Sequence, residues 1–171
     1  MFVTTLAGAL PLLAMPRAVR ALATKSRTLD FEHTHTGERL SIKYFHDGAY
    51  VPEALTKVDY FLRDFRTGDI HAIDPNLLDL LDQLTELTRT NKPFQVISAF
   101  RSPATNDMLR QRTKGVAANS LHMQGRAIDI RLADVPLATL RSAAILAGRG
   151  GVGYYPASDF VHVDTGRVRT W

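Results

Sequence analysis

The chain of 171 residues contains no cysteine. Thiol nucleophiles, thiolate metal ligands and disulfides are thereby excluded, so any metal centre must be built from imidazole and carboxylate groups. Charge of one sign is scarce too. The formal net charge is +4, and the first 23 residues contribute Arg17 and Arg20 with no acid. Without that segment the balance is about +2, scattered along the chain, and no RNA-binding aromatic pattern accompanies it. This argues against nucleic acid as a partner. A long hydrophobic run is missing as well, since the apolar stretch Met1 to Ala14 is too short to span a bilayer comfortably. Internal repeats and low-complexity tracts are absent, which speaks against a solenoid or propeller. What remains is a globular composition, 45% hydrophobic and 22% charged, at a length that suits one domain with a sizeable core.

The amino-terminal segment has the apolar body of an export signal, and Ala21-Leu22-Ala23 has the small residues of a cleavage site. No basic residue precedes the apolar run, so the expectation includes a basic region upstream of Met1. The competing reading is a buried helix, but the segment lacks a polar face. Residues 1–23 are therefore expected to be an export signal, cleaved or kept as a membrane anchor, and residues 24–171 a single domain.

Within that domain, Thr28 to Phe31 and Leu40 to Phe45 alternate apolar and polar residues around the turn residues His35-Thr-Gly-Glu38, which predicts a β-hairpin. Pro52 opens a helical pattern carried by Leu55, Val58, Phe61, Leu62 and Phe65 and stopped at Gly68. Asp74-Pro75 opens a second, with Leu77, Leu78, Leu81, Leu84 and Leu87 on its buried face. A strand over Phe94 to Phe100 leads into a helix from Pro103 to Arg112. A strand over Arg126 to Leu132 leads into a helix from Pro136 to Ala147, ended by Gly148. The tail from Gly150 reads as two or three short strands. Such an order predicts an α+β fold, helices packed on a small antiparallel sheet.

Chemistry concentrates in Ser120-Leu-His122-Met-Gln-Gly125-Arg-Ala-Ile-Asp129 and in Asp159-Phe-Val-His162-Val-Asp164. A catalytic zinc site takes three protein ligands and keeps one position open. His122, Asp129 and His162 supply such a set, with Gly125 allowing a sharp turn after the first ligand. Asp159, three residues before His162, is placed to serve as general base, and Arg101, at a strand end, to steady a developing oxyanion. Taken singly, each has a plainer reading. A lone histidine is more often structural. Asp129 could pair with Arg126 or Arg131, Asp159 could cap a turn, and Arg101 could lie on the surface.

Together the residues form a pattern. Ser120-x-His122-x-x-Gly125-x-Ala127-x-Asp129 followed by His162-x-Asp164 resembles the zinc signature of the D-alanyl-D-alanine metallopeptidase superfamily, with its lysostaphin-type and Hedgehog-type relatives. Ser98-Ala-Phe-Arg101-Ser-Pro103 and Asn106 resemble the segment before the first ligand, and the upstream part resembles a branch of exported murein endopeptidases. The resemblance implies Zn2+ on His122, Asp129 and His162, a catalytic carboxylate at Asp159 and a carbonyl-polarising Arg101. It implies that Ser120 binds substrate or braces its loop, and that Asp164 orients a ligand histidine. The implied function is hydrolysis of peptidoglycan stem-peptide cross-links in the periplasm or cell envelope. The alternatives are a carboxypeptidase releasing D-amino acids, a non-catalytic zinc-containing peptidoglycan-binding module, and a cytoplasmic dipeptidase if the first segment is no signal. His33, His35, His46 and His71 match no ligand position and are read as structural or surface residues.

Overall fold

A computed structural model describes residues 26–112 and 116–171. The expected export signal lies outside the described residues. The chain begins with the predicted hairpin, β1 (Arg27–His33) and β2 (Arg39–His46), followed by the short β3 (Ala49–Tyr50) and helix α1 (Pro52–Phe61). Helix α2 (Pro75–Thr88) precedes β4 (Phe94–Ser98), and α3 (Pro103–Arg112) follows it. After a 3-10 turn at Leu121–Gln124 come β5 (Ala127–Arg131), α4 (Leu137–Ala147), β6 (Gly151–Tyr155), β7 (Phe160–Asp164) and β8 (Arg169–Thr170).

The strands form one sheet in the order β3-β2-β1-β4-β5-β7-β6-β8. The class is α+β as expected, but the sheet is larger than expected and mixed: β1 with β4 and β6 with β8 run parallel, and the other ladders antiparallel. Period-two alternation sends Leu29 and Phe31, Val96, Ile128 and Ile130, Val161 and Val163 to one face. There they meet Leu77, Leu78, Leu81 and Leu84 of α2 and Leu140, Ala143 and Ala144 of α4 in one contiguous apolar cluster. The opposite face carries Gln95, Asp129, Arg131, Phe160 and His162. The hydrophobic effect thus fixes the register, and the register decides which polar side chains share the other face.

Two helix details differ from the sequence reading. Helix α1 stops at Phe61 rather than at Gly68. Beyond it the chain folds into a turn held by Asp64, which accepts from the backbone and hydroxyl of Ser102 at 2.9 and 2.7 Å and from Arg66 N at 3.0 Å. Gly68 supplies the positive φ of that turn instead of a helix end. Leu87, in the last turn of α2, lies exposed beyond the buried Leu84. The start of α2 is as predicted: Pro75 sits in the first turn and Asp74 accepts from Asn76 N.

Candidate active site

Asp129 and His162 are cross-strand partners on β5 and β7, so their side chains stand next to each other on the open face. His122 reaches them from the 3-10 turn between α3 and β5. Ser120 shapes that turn, its Oγ accepting from His122 N at 3.3 Å. Gly125 closes it with φ +64°, and a Cβ there would overlap the carbonyl oxygen of Ala72. The same glycine's carbonyl accepts from Asp74 N at 2.9 Å, tying the turn to the start of α2. A left-handed conformation at a point of backbone-to-backbone approach accommodates only glycine.

Three ligand atoms converge. His162 Nδ1 is 2.8 Å from Asp129 Oδ1, His122 Nε2 is 3.3 Å from the same oxygen, and the two ring nitrogens are 3.1 Å apart. All three side chains are buried. The outer nitrogens are already used. His122 Nδ1 lies 2.7 Å from the Ala99 carbonyl, which can only accept, so Nδ1 carries the hydrogen and Nε2 a lone pair. His162 Nε2 lies 3.1 Å from Asp164 Oδ2, so it carries the hydrogen and Nδ1 the lone pair. Asp164, fully buried, is itself held by Gly151 N, Gly166 N and Arg169.

Two imidazole lone pairs and a carboxylate facing one another repel unless a cation sits among them. Among the described residues the Arg101 guanidinium approaches one side of the space between them, 3.9 Å from Asp129 Oδ2. A proton is the simplest occupant. Burial pushes the His162 pKa down, but the flanking Asp129 and Asp164 carboxylates outweigh it and raise it to about 9. Burial, opposed by Asp129, holds the His122 pKa below its ordinary value. The Asp129 carboxyl, although burial alone would raise it, is kept well below the usual carboxylate range by the two histidines. An N,N,O set with fixed tautomers also suits a tetrahedral divalent ion, whose ~2.0–2.1 Å bonds place ligand atoms about 3.3 Å apart.

Arg101 lines the same space. Its backbone N donates to the His122 carbonyl at 3.2 Å, and its guanidinium stands 3.9 Å from Asp129 Oδ2 and 3.5 Å from Asn106 Oδ1. Burial lowers its pKa, opposed first by Asp129. It is therefore not a free surface arginine. Asp129 pairs with neither of the partners considered from sequence: Arg126 turns to Thr165 and Asp74, and Arg131 to Asp159. Asp159 occupies the left-handed residue between a 3-10 turn and β7, with φ +53° and an exposed carboxylate 2.9 Å from Arg131 Nη1. Arg131 is two residues beyond Asp129 on the same face, about 7 Å along the strand, so Asp159 contacts a neighbour of the triad and none of its three members directly. Of the remaining histidines, His33 is buried, His35 stacks on Phe65, His71 stacks on Phe100, and His46 is surface-exposed.

Sequence reasoning missed Trp171 and Tyr155. The Trp171 ring packs 5.3 Å from that of His162, and its indole N–H donates to Tyr155 Oη at 2.7 Å. Tyr155 in turn stacks on Phe160 at 4.6 Å. Both rings lie across Gly153, where a Cβ would collide with them. That glycine beside a ligand strand was the available signal.

Comparison with known proteins bears on the chain as a whole. The family model described as peptidoglycan L,D-endopeptidase MepK, a peptidase M15 family, matches residues 21–171. The chain belongs to this family. A Haemophilus influenzae protein named "Probable peptidoglycan L,D-endopeptidase MepK" is 45% identical over 166 residues, covering 95% of this chain and 89% of that protein. The Escherichia coli K12 peptidoglycan L,D-endopeptidase MepK is 42% identical over 160 residues, covering 94% and 88%. A crystal structure of the Serratia marcescens L-Ala D-Glu endopeptidase ChiX aligns over 56% of this chain and 69% of that one, with a TM-score of 0.38 and 18% identity.

Proposed function

We propose that the chain is a zinc-dependent peptidoglycan endopeptidase that hydrolyses stem-peptide cross-links between L- and D-configured centres. The observation that carries this reading is the buried acceptor triad His122, Asp129 and His162, with its outer nitrogens pinned and the Arg101 guanidinium 3.9 Å from Asp129. Family membership and the names of the relatives supply the reaction class.

Bound by the triad, zinc would supply Lewis acidity that activates water and polarises the scissile carbonyl. The protein's own groups do the rest. Asp159 takes the proton of the attacking water and returns it to the leaving amine as the C–N bond breaks. Arg101 holds a fixed positive charge against the negative charge that grows on the carbonyl oxygen. Asp164 and the Ala99 carbonyl keep both histidines in the tautomer that presents a lone pair. Ser120 braces the turn that carries His122. Residues 24–171 act as one peptidase domain. Residues 1–23 direct the chain out of the cytoplasm, so it meets its substrate in the envelope.

The Asp159→Ala variant tests the division of labour. Zinc content should stay stoichiometric while turnover falls at least ~100-fold, the usual loss when a general base is removed. Turnover within a few-fold of wild type would move the base elsewhere. Mass measurement of the protein from cell fractions tests export: an intact cytosolic chain contradicts it.

A further inference from the structure

Arg101 is held loosely at its head and firmly at its backbone. Its side chain is only 12% exposed, yet Nη2 stands 3.9 Å from Asp129, Nη1 reaches Asn106 Oδ1 at 3.5 Å, and the buried Nε has no partner among the described residues. Spare donors suit a group that meets a charge formed only during the reaction. They also mean that the guanidinium is aimed from its backbone. Three consecutive N–H groups are tied down there. Phe100 N donates to the Leu62 carbonyl at 3.0 Å, Arg101 N to the His122 carbonyl at 3.2 Å, and Ser102 N to Asp64 Oδ2 at 2.9 Å. Two of these acceptors, Leu62 and Asp64, belong to the end of α1 and the turn after it.

We infer that Asp64 is a positioning residue for Arg101, fixing the backbone segment from which the guanidinium reaches the triad. The inference rests on the proposed endopeptidase activity, in which Arg101 meets the developing oxyanion. Asp64 is buried, and its own backbone is fixed on both sides: its N donates to the Asp69 carbonyl at 2.9 Å and its carbonyl accepts from Gly68 N at 2.7 Å. Oδ2 takes a second bond, from Ser102 Oγ at 2.7 Å, and that hydroxyl accepts from Thr105 N at 3.2 Å, capping the first turn of α3. The same turn carries Asn106, whose N donates to the Ser102 carbonyl at 2.9 Å and whose Oδ1 faces Arg101. One carboxylate thus sets both the stem of Arg101 and the side chain beside its tip. Burial pushes the Asp64 carboxyl up, but hydrogen bonds from Thr105, Ser102 and Arg66 N outweigh it and keep the group ionised. Removing that anchor frees residue 102 to shift, and a displacement of about 1 Å at a charge-stabilising group is enough to cost ~100-fold in rate.

The test is a double-mutant cycle on the zinc-loaded full chain, with cross-linked muropeptide dimers as substrate. Arg101→Ala alone should lower kcat about 100-fold. Asp64→Ala alone should lower kcat about 10-fold, with KM within about 2-fold and zinc still stoichiometric. In the Arg101→Ala background, removing Asp64 should change kcat by less than about 2-fold, because there is no guanidinium left to place. The fall in melting temperature, by contrast, should be the same in both backgrounds, since it comes from the unpaired N–H groups of Ser102 and Arg66. Ser102→Ala deletes only the hydroxyl bond and keeps the cycle readable if Asp64→Ala does not fold; its loss should be about 3-fold and again vanish without Arg101. A loss of kcat by the same factor in both backgrounds would overturn the positioning role while leaving the endopeptidase reading intact, and so would wild-type kcat in Arg101→Ala. A wild-type chain that leaves the dimers uncut would overturn that reading, and the positioning role with it.

Discussion

Replacing Asp164 by Asn changes one charge and almost no volume, yet it should reach the metal through one proton. Asp164 Oδ1 accepts from Gly151 N, Gly166 N and Arg169 Nη1, and Oδ2 accepts from His162 Nε2 and Arg169 Nη2. An asparagine has one oxygen to offer. Turned toward the three donors on the Oδ1 side, it presents its NH2 to His162 Nε2. The imidazole then does best by accepting at Nε2 and carrying its hydrogen at Nδ1, the nitrogen that should bind zinc. Turned the other way, it leaves two buried backbone N–H groups facing a donor. Either arrangement costs about 2–3 kcal/mol of folding stability, and the first also weakens the metal site. Loss of such an orienting partner typically lowers metal affinity 10–100-fold. Competition against a chromogenic chelator reads the affinity, and denaturant unfolding of the metal-free protein reads the stability. A folded Asp164→Asn variant with wild-type zinc affinity would refute the tautomer argument.

Other expectations follow from single contacts. Gly125→Ala must adopt a positive φ and push against the Ala72 carbonyl, so it should lose at least about 2 kcal/mol of stability and part of its zinc stoichiometry; wild-type values for both would contradict the close approach. His33 is buried beside Phe61 and Phe65, and burial, followed by the neighbouring His35, depresses its pKa to about 4. The folded state therefore favours the neutral ring. Its contribution is fully present above pH ~6.5 and is lost as pH falls toward 4, by up to about 3 kcal/mol. His33 Nδ1 accepts from His35 N, so the neutral ring carries its hydrogen on Nε2, which has no partner among the described residues. His33→Phe should flatten that acid limb in unfolding curves taken from pH 7 to 4; an unchanged limb would assign it to other groups.

The triad was legible in sequence because its residues sit at the points where local rules are strict: a glycine that must turn, a strand that must alternate, a histidine two residues before an acid. The helices and most strand positions were legible for the same reason, since Pro52, Asp74-Pro75 and Gly148 mark boundaries directly. The end of α1 was not. Phe65 continues the apolar period, but Asp64 offers the backbone a tighter turn and anchors the segment before α3 through Ser102, a contact between residues far apart in the chain. Parallel pairing of β1 with β4 was invisible because no local signal fixes it; it follows from how α1 and α2 cross the sheet. Arg131 escaped notice as a neighbour of Asp159 because only cross-strand register brings them together. Trp171 escaped because a single terminal aromatic has no periodicity; β8 carries it over His162.

Incubation of the purified protein with cross-linked muropeptide dimers, with and without a chelator, followed by mass spectrometry of the products, tests the central claim most directly. Conversion of dimers to monomers that stops with the chelator and returns with zinc is the predicted result, and the fragment masses identify the bond. Intact dimers in the presence of a folded chain holding stoichiometric zinc would contradict the account.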